Sequence, residues 1–430
     1  MKSFSLEGFR APILYLHSFI QRRDYLSDCL SSLFSQDFED FEVVVANDGS
    51  IDATESILMD ASVHDRRVVP VMLSENQGTH CARAAAVERA RGDYILFLDS
   101  DDKLLPGTLT ALDERLARTN SDYLHFGMEI VASFAIDAAE VTDMESQANA
   151  RLHVADRTDI LSLAYTLEGG YQLDWRVTQR VFAASTVKRA FESLPYERIG
   201  FAEDGLEHFA IALHTSRPVI ANDIKGYRYN YGTGATGGKS FSLPLWSRVA
   251  ASFGLVSRVS RQLAEQLEGQ CDPLLARVAL DAADGFSSRL GELLFAQWDV
   301  RDDPVLSQEV FEQASSAFGV VPTAAQVMRL VRDEAYAVWD AGGVPGDNRR
   351  FLAWYAWAEH AVEVAGVTAT SDAAYRLYQE YRDVAAGHIR DLGLREQELK
   401  AEFFPQSKAE GDESETLLHH VLCRLVKKIR

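Results

Sequence analysis

Gly92-Asp93-Tyr94-Ile95-Leu96-Phe97-Leu98-Asp99-Ser100-Asp101-Asp102 is the stretch whose reading decides the fold. Tyr94 to Leu98 is an unbroken apolar run, the pattern of a strand covered on both faces. It stops at three carboxylates in four residues. Asp99, Asp101 and Asp102 repel one another there unless a cation lies among them. Hard divalent cations take oxygen ligands, commonly one or two carboxylates together with substrate phosphates. Asp99-x-Asp101 therefore has the form of an Mg²⁺ or Mn²⁺ clamp on a diphosphate. A solvated acidic turn or a helix N-cap offers the same letters, so the surroundings carry the meaning.

Upstream, apolar runs alternate with helical spacings. Ile13 to Leu16 predicts a strand, and Leu26, Cys29, Leu30 and Leu33 share one face of a helix over 25–34. Phe41 to Ala46 predicts a second strand, ending in the turn Asn47-Asp48-Gly49-Ser50 with Asp52 just beyond. A helix over 54–61, a strand over 68–73 and an Ala-rich helix over 82–90 lead to Tyr94. Such alternation predicts an α/β domain with a mostly parallel sheet covered on both faces. Ligands bind such sheets at the carboxyl ends of the strands, where two strands here carry acidic turns. Between them, Glu75-Asn76-Gln77-Gly78-Thr79-His80-Cys81-Ala82-Arg83 enters a helix, bringing backbone N–H groups and Arg83 near any phosphate at the sheet edge.

The chain has 430 residues, 47% hydrophobic and 25% charged, enough for two or three domains with substantial cores. Its net charge of −21 repels phosphate backbones, which excludes a general nucleic-acid binder. Cys29, Cys81, Cys271 and Cys423 are far apart, wrong for a zinc site or a disulfide framework and in keeping with a reduced, cytosolic setting. Residues 1–10 lack the apolar core of a signal peptide, and no stretch has the ~18 apolar residues of a membrane span. The expectation is a soluble, cytoplasmic or at most peripheral protein.

In order and spacing, these elements resemble the nucleotide-binding half of a family 2 glycosyltransferase with the GT-A fold. The resemblance rests on Tyr25-Leu26, Asn47-Asp48-Gly49-Ser50-Ile51-Asp52, Asn76 to Arg83, and Gly92 to Asp102, about a quarter of the chain. It implies a nucleotide-sugar donor. Asp48 would contact the uracil of a UDP donor, and Asn76 and Arg83 would bind its nucleotide end. Asp99 would face the ribose and the metal, Asp101 would ligate Mn²⁺ or Mg²⁺, and Asp102 would either support them from behind or face the sugar. Three departures stand out. His17-Ser18-Phe19-Ile20-Gln21 replaces the family's Pro and Tyr-Asn, Asn47 its first Asp, and Ala84 the Asn after its Arg.

Residues 150–240 are mixed: helical over 158–167, amphipathic over 179–188, and helical again after Glu203-Asp204. Many relatives carry a Glu-Asp pair at a helix start, and the resemblance makes Asp204 the base for an acceptor hydroxyl, with Glu203 beside it. Acidic residues also suit a helix N-terminus for the macrodipole alone. Trp175 and Arg180 resemble the aromatic and basic acceptor segment. Tyr227 to Gly238 resembles the glycine-rich lid that closes over the diphosphate, with Arg228 or Lys239 in reach of it. His17, His80, His208 and His214 are taken as structural.

Long helical segments follow over about 245–268, 274–298, 305–317, 323–340, 349–365 and 371–402, with Trp339, Trp354 and Trp357 as bundle core. The tail, Leu417 to Arg430, suits a membrane-surface or partner helix or a docked terminus. The expected architecture is a GT-A domain over 10–240 (nucleotide-binding half 10–130, acceptor half and lid 131–240) and a helical domain over 241–430. The resemblance implies a metal-dependent inverting transferase working on a glycan, lipid-linked or glycoprotein acceptor. Peripheral membrane contact and homo-oligomerisation through the helical domain go with it. A catalytically silent scaffold is the alternative. A nucleotidyltransferase would need a glycine-rich phosphate loop, and residues 12–24 contain no glycine.

Overall fold

The computed structural model describes residues 12–18, 23–132, 136–232, 242–296, 308–340, 349–366 and 373–391. Phe19, Ile20 and Gln21, the glycine-rich stretch from Thr233 with Lys239, the separator around Gly342 and the 417–430 tail lie outside them. Met1–Lys239 with Val259–Ala283 form one compact unit, and Ser240–Arg258 with Asp284–Arg430 form a second. The division near 240 thus coincides with the change of sequence character, but the stretch 259–283 groups with the first unit.

The first unit begins with β1 (Pro12–Ser18), α1 (Arg23–Phe34), β2 (Val43–Asp48), α2 (Thr54–His64), β3 (Val68–Leu73), α3 (Thr79–Arg89) and β4 (Tyr94–Asp99). Next come β5 (Lys103–Leu104), α4 (Thr108–Thr119), β6 (Tyr123–Ala132), α5 (Ala138–Ala148) and α6 (Arg157–Tyr165). It closes with β7 (Arg180–Ala183), α7 (Ala184–Glu192), α8 (Glu203–His214) and β8 (Pro218–Tyr231). All eight strands join one sheet in the order β3-β2-β1-β4-β7-β6-β8-β5. β3, β2, β1 and β4 run parallel, so the carboxyl ends of β2 and β4, with their acidic turns, lie on one edge.

Burial explains the letters. All six residues of β2 are buried, as are Tyr94 to Leu98, which is why both strands read as continuous apolar runs. β3 lies at the sheet edge, is only partly buried, and tolerates Pro70 for that reason. Leu26, Cys29, Leu30 and Leu33 of α1 enter the core beneath the sheet with Leu109, Leu112 and Leu116 of α4. The amphipathic stretch 179–188 is not a single element. It divides into the four-residue strand β7, antiparallel to both β4 and β6, and the start of α7.

The second unit is helical: α9 (Leu243–Glu265), whose C-terminal part belongs to the first unit, α10 (Pro273–Ala296), whose N-terminal part up to Ala283 also does, α11 (Gln308–Phe318), α12 (Val320–Asp340), α13 (Arg349–Ala365) and α14 (Ala373–Asp391). Trp246 is buried with its indole N–H donated to the Leu294 carbonyl at 3.1 Å. Gly254 lets α9 meet α11, because a Cβ there would lie 2.4 Å from the Ala317 carbonyl oxygen. Trp354 is fully buried and Trp357 partly so, matching their core assignment. Glu359 accepts from the Tyr378 hydroxyl at 2.7 Å and pairs with Arg382, a polar anchor between α13 and α14. Among the described residues, no helix is long and apolar enough to cross a membrane.

Candidate active site

The turn after β2 shapes the loop opposite it. Asn47 Oδ1 accepts from the Ser50 N–H at 3.0 Å, so the departure at 47 preserves the turn. Gly49 has φ +66°, and a Cβ there would lie 2.6 Å from the Glu75 carbonyl carbon, so only glycine fits. Asp48 is buried, and its carboxylate accepts from the N–H groups of Gln77 at 2.7 Å and Gly78 at 2.8 Å. Both Asp48 oxygens brace the 75–78 loop. Asn76 Nδ2 reaches the Asp48 carbonyl at 3.5 Å, and Asn76 Oδ1 is a buried acceptor with no hydrogen-bond partner among the described residues.

At the end of β4 the chain turns tightly, with the Asp102 N–H donating to the Asp99 carbonyl at 3.0 Å. Asp102 is 2% exposed. The Tyr227 hydroxyl donates to its Oδ2 and the Asn230 N–H to its Oδ1, both at 2.7 Å. The Asn230 side chain reaches the Asp101 carbonyl. Asp102 thus fastens β8 to the acidic turn, the supporting alternative of the two roles offered for it. Burial raises its proton affinity well above the usual carboxylate range, and Asp99 and Asp101 add to the effect. Burial likewise pushes Asp99 up to about 7, opposed by Arg83 and reinforced by Asp204 and Asp101.

Arg83 is the centre of the site. From α3, its guanidinium contacts Asp204 of α8, Glu207 Oε2 at 2.9 Å and Asp99 Oδ1 at 3.3 Å, with only 2% of the side chain exposed. It ties together three carboxylates from β4 and α8. Glu207, fully buried, also meets His80 Nδ1 at 2.8 Å, and His80 Nε2 lies 3.1 Å from the Pro195 carbonyl. His80 is therefore structural, as expected. Asp204 stands in the first turn of α8. Glu203, preceding it, is raised to about 8, first by burial and then by Asp204.

A buried chain of hydrogen bonds supports that turn. Arg180 Nε donates to the Tyr123 hydroxyl at 2.7 Å, and that hydroxyl lies 2.8 Å from His208 Nε2. His208 Nδ1 lies 2.7 Å from the Tyr165 hydroxyl, which donates to the Gly205 carbonyl at 2.8 Å. Each hydroxyl has one proton to give, so the order is fixed: Tyr123 donates to Nε2, and neutral His208 donates from Nδ1. Burial holds His208 well below the ordinary histidine range, and Arg180 adds to the shift. Arg180 is fully buried and bonded to both Tyr123 and Asp174. Trp175 stacks on Tyr165 with ring centroids 6.4 Å apart, so its ring is engaged by protein. Arg228 pairs with Glu129 across β6 and β8, and Lys239 lies outside the described residues.

The donor set suits a hard cation. Asp99, Asp101, Asp204 and Glu207 outnumber the one guanidinium among them. Among the described residues, no three His, Cys, Asp or Glu side chains are placed to hold a metal unaided. A cation at Asp99 and Asp101 would therefore complete its shell with substrate oxygens. Glu207, Tyr227 and Asn230 escaped the sequence reading. Glu207 left one signal, a lone acid among Leu206, Phe209, Ala210 and Ile211. The other two left none.

Residues 18–131 match the sequence model of Glycosyl transferase family 2. The Bacillus subtilis protein TuaG, whose name assigns it to teichuronic acid biosynthesis as a glycosyltransferase, is 43% identical over 81 residues, 19% of this chain and 32% of that one. A Campylobacter jejuni GalNAc(5)-diNAcBac-PP-undecaprenol beta-1,3-glucosyltransferase is 33% identical over 106 residues, 24% of this chain and 33% of that one. The matched stretch spans about a third of the length of these relatives. Among solved structures, residues 1–349 of S. aureus TarS in complex with UDP-GlcNAc superpose with a TM-score of 0.52 at 18% identity, covering 89% of this chain and 92% of that chain. The fold is GT-A, followed by a helical region.

Proposed function

We propose that this chain is a metal-dependent inverting glycosyltransferase that moves a sugar from a UDP-linked donor to a hydroxyl of a glycan, glycoprotein or lipid-linked acceptor. One observation carries the reading: Arg83 gathers Asp99 of the acidic turn and Asp204, 105 positions later in sequence, at the carboxyl edge of a family 2 sheet. The UDP-GlcNAc bound by TarS and the undecaprenol-linked substrate named for the Campylobacter relative support the donor and acceptor classes.

Asp99 and Asp101 would hold Mn²⁺ or Mg²⁺, which supplies Lewis-acid neutralisation of the charge developing on the leaving diphosphate. Arg83 holds Asp204 Oδ1 and leaves Oδ2 to take the acceptor proton. The acceptor oxygen bonds to the anomeric carbon while the bond to the phosphate oxygen breaks, and its electron pair leaves with UDP. Attack from the opposite face inverts the centre. Because Arg83 is shared with Glu207 and Asp99, Asp204 is oriented without a cation of its own. A lipid-linked acceptor would bring the chain to the cytoplasmic face of a membrane as a peripheral protein.

The test is a panel of nucleotide sugars with Mn²⁺ or Mg²⁺, scored by nucleotide release with water as acceptor. Release from a UDP-sugar, abolished by EDTA and by Asp101→Ala, supports the reading. An acceptor-dependent rate lost in Asp204→Asn supports the base. No release from any donor contradicts the enzyme reading and favours a scaffold.

A further inference from the structure

A second recess lies in the first unit, away from the acidic turn, between α5, β6 and the segment 171–176. Its volume is about 190 Å³. That is well below the roughly 300–1,000 Å³ of sites for drug-sized ligands, and too small for a nucleotide. Gln147 and Gln172, both exposed, stand at its rim, and Tyr171, Asp174 and Arg176 line its wall.

His125, 2% exposed, also lines it. Its Nε2 lies 3.4 Å from both the Ala148 carbonyl and Gln179 Nε2. Its Nδ1 is buried with no hydrogen-bond partner among the described residues, and neither has Gln179 Oε1 behind it. An orphaned buried polar atom costs about 1–3 kcal/mol, so Nδ1 of a histidine that lines the recess calls for a partner. If His125 donates from Nε2, Nδ1 is an acceptor; if it accepts there, Nδ1 is a donor. A hydroxyl satisfies either form, donating its one proton to Nδ1 in the first and accepting from it in the second. The local backbone is held out of its ordinary range, too. Tyr171 has φ +52° and Gln179 φ +62°, two of the four non-glycine residues in the left-handed region among those described.

The recess is tied to the site already described. Asp174 and Arg176 form an ion pair at 2.7 Å, and the Arg176 guanidinium lies 5.2 Å from the Tyr229 ring centroid, next to the Asn230 that binds the acidic turn. Asp174 also holds Arg180, the head of the hydrogen-bond chain that ends at Gly205.

We propose that this recess is a saccharide-binding subsite that takes one sugar ring of the acceptor, read through hydroxyl contacts to His125, Gln147 and Gln172. It rests on the glycosyltransferase reading for the word acceptor, while the binding of a sugar ring stands apart from it. Amides at a rim and a neutral imidazole at the floor are groups that both give and take hydrogen bonds, as a polyol does.

The probes are methyl glycosides of glucose, galactose and N-acetylglucosamine, followed by saturation-transfer NMR on the full chain. Two variants leave the acidic turn and Asp204 untouched: Gln147→Ala with Gln172→Ala at the rim, and Leu152→Trp to fill the space. At least one glycoside is expected to bind the unaltered protein. Each variant should weaken it about tenfold or more, the ratio for about 1.4 kcal/mol of lost contact, while metal-dependent hydrolysis of the donor by water stays unchanged. Binding of no glycoside by the unaltered protein, or equal binding by both variants, overturns the subsite. A protein that binds the glycoside but turns over no nucleotide sugar retains the subsite and loses the glycosyltransferase reading instead.

Discussion

Replacing Arg83 by Met removes the one cation that α3 places among Asp99, Asp204 and Glu207. The side chain is 2% exposed and Glu207 is fully buried, so water cannot take the place of the guanidinium. Breaking a buried ion pair from one side costs about 3–5 kcal/mol, because the remaining charge is left without compensation. Glu207→Gln is milder. Its amide oxygen still accepts from His80 at the former 2.8 Å position, and Arg83 keeps Asp204 and Asp99. Combining the two removes the stranded charge, so the double variant should cost less than the sum by about 1–3 kcal/mol. Urea unfolding of the full chain, followed by hydrogen-exchange mass spectrometry of peptides from α3 and α8, measures all three corners of the cycle. Costs that add within about 0.5 kcal/mol, or an Arg83→Met penalty below about 1 kcal/mol, would refute the view that Arg83 is a buried hub.

Two buried histidines contribute stability that acid removes. Burial lowers His125 to about 3, and His208 lies well below the ordinary value of 6.5, so below pH 6.5 the unfolded chain protonates them and the folded chain does not. Each contribution is full above about pH 6.5 and falls by about 1.4 kcal/mol per pH unit as the pH drops, while the raised Asp99, Asp102 and Glu203 work in the opposite direction. The difference between the unaltered protein and His208→Gln in urea unfolding at pH 7, 6 and 5 isolates the histidine contribution and should shrink as the pH drops. Asp102→Ala strips an acceptor from the Tyr227 hydroxyl and the Asn230 N–H, at about 1–3 kcal/mol for each orphaned donor, and faster hydrogen exchange in β8 should report it. Gly49→Ala sets a Cβ against the Glu75 backbone at φ +66° and should lower the melting temperature by several degrees, with a loss of at least about 1 kcal/mol. An unchanged melting temperature would mean the turn is not packed as described.

The parallel half of the sheet was legible because burial on both faces writes itself as continuous apolar letters, and the acidic ends of β2 and β4 interrupt them. β7 was not. Four residues carry no period of their own, and pairing with β4 and β6 fixes that strand from outside. The site shows the same division. Asp99, Asp101, Asp204 and Arg83 could be picked out by residue type and spacing, yet the roles of Arg83, Asp48, Asp102 and Arg180 depend on partners far off in sequence. Glu207 lies 124 positions from Arg83 and Tyr227 lies 125 from Asp102. Motif letters give no view of such pairings.

Calorimetric titration of UDP into the full chain, with Mn²⁺ and with EDTA, for the unaltered protein and for Asp101→Ala, tests the central claim most directly. The account predicts binding that requires the metal and falls about tenfold or more in Asp101→Ala, the ratio for about 1.4 kcal/mol. UDP binding indifferent to both the metal and Asp101 would contradict it.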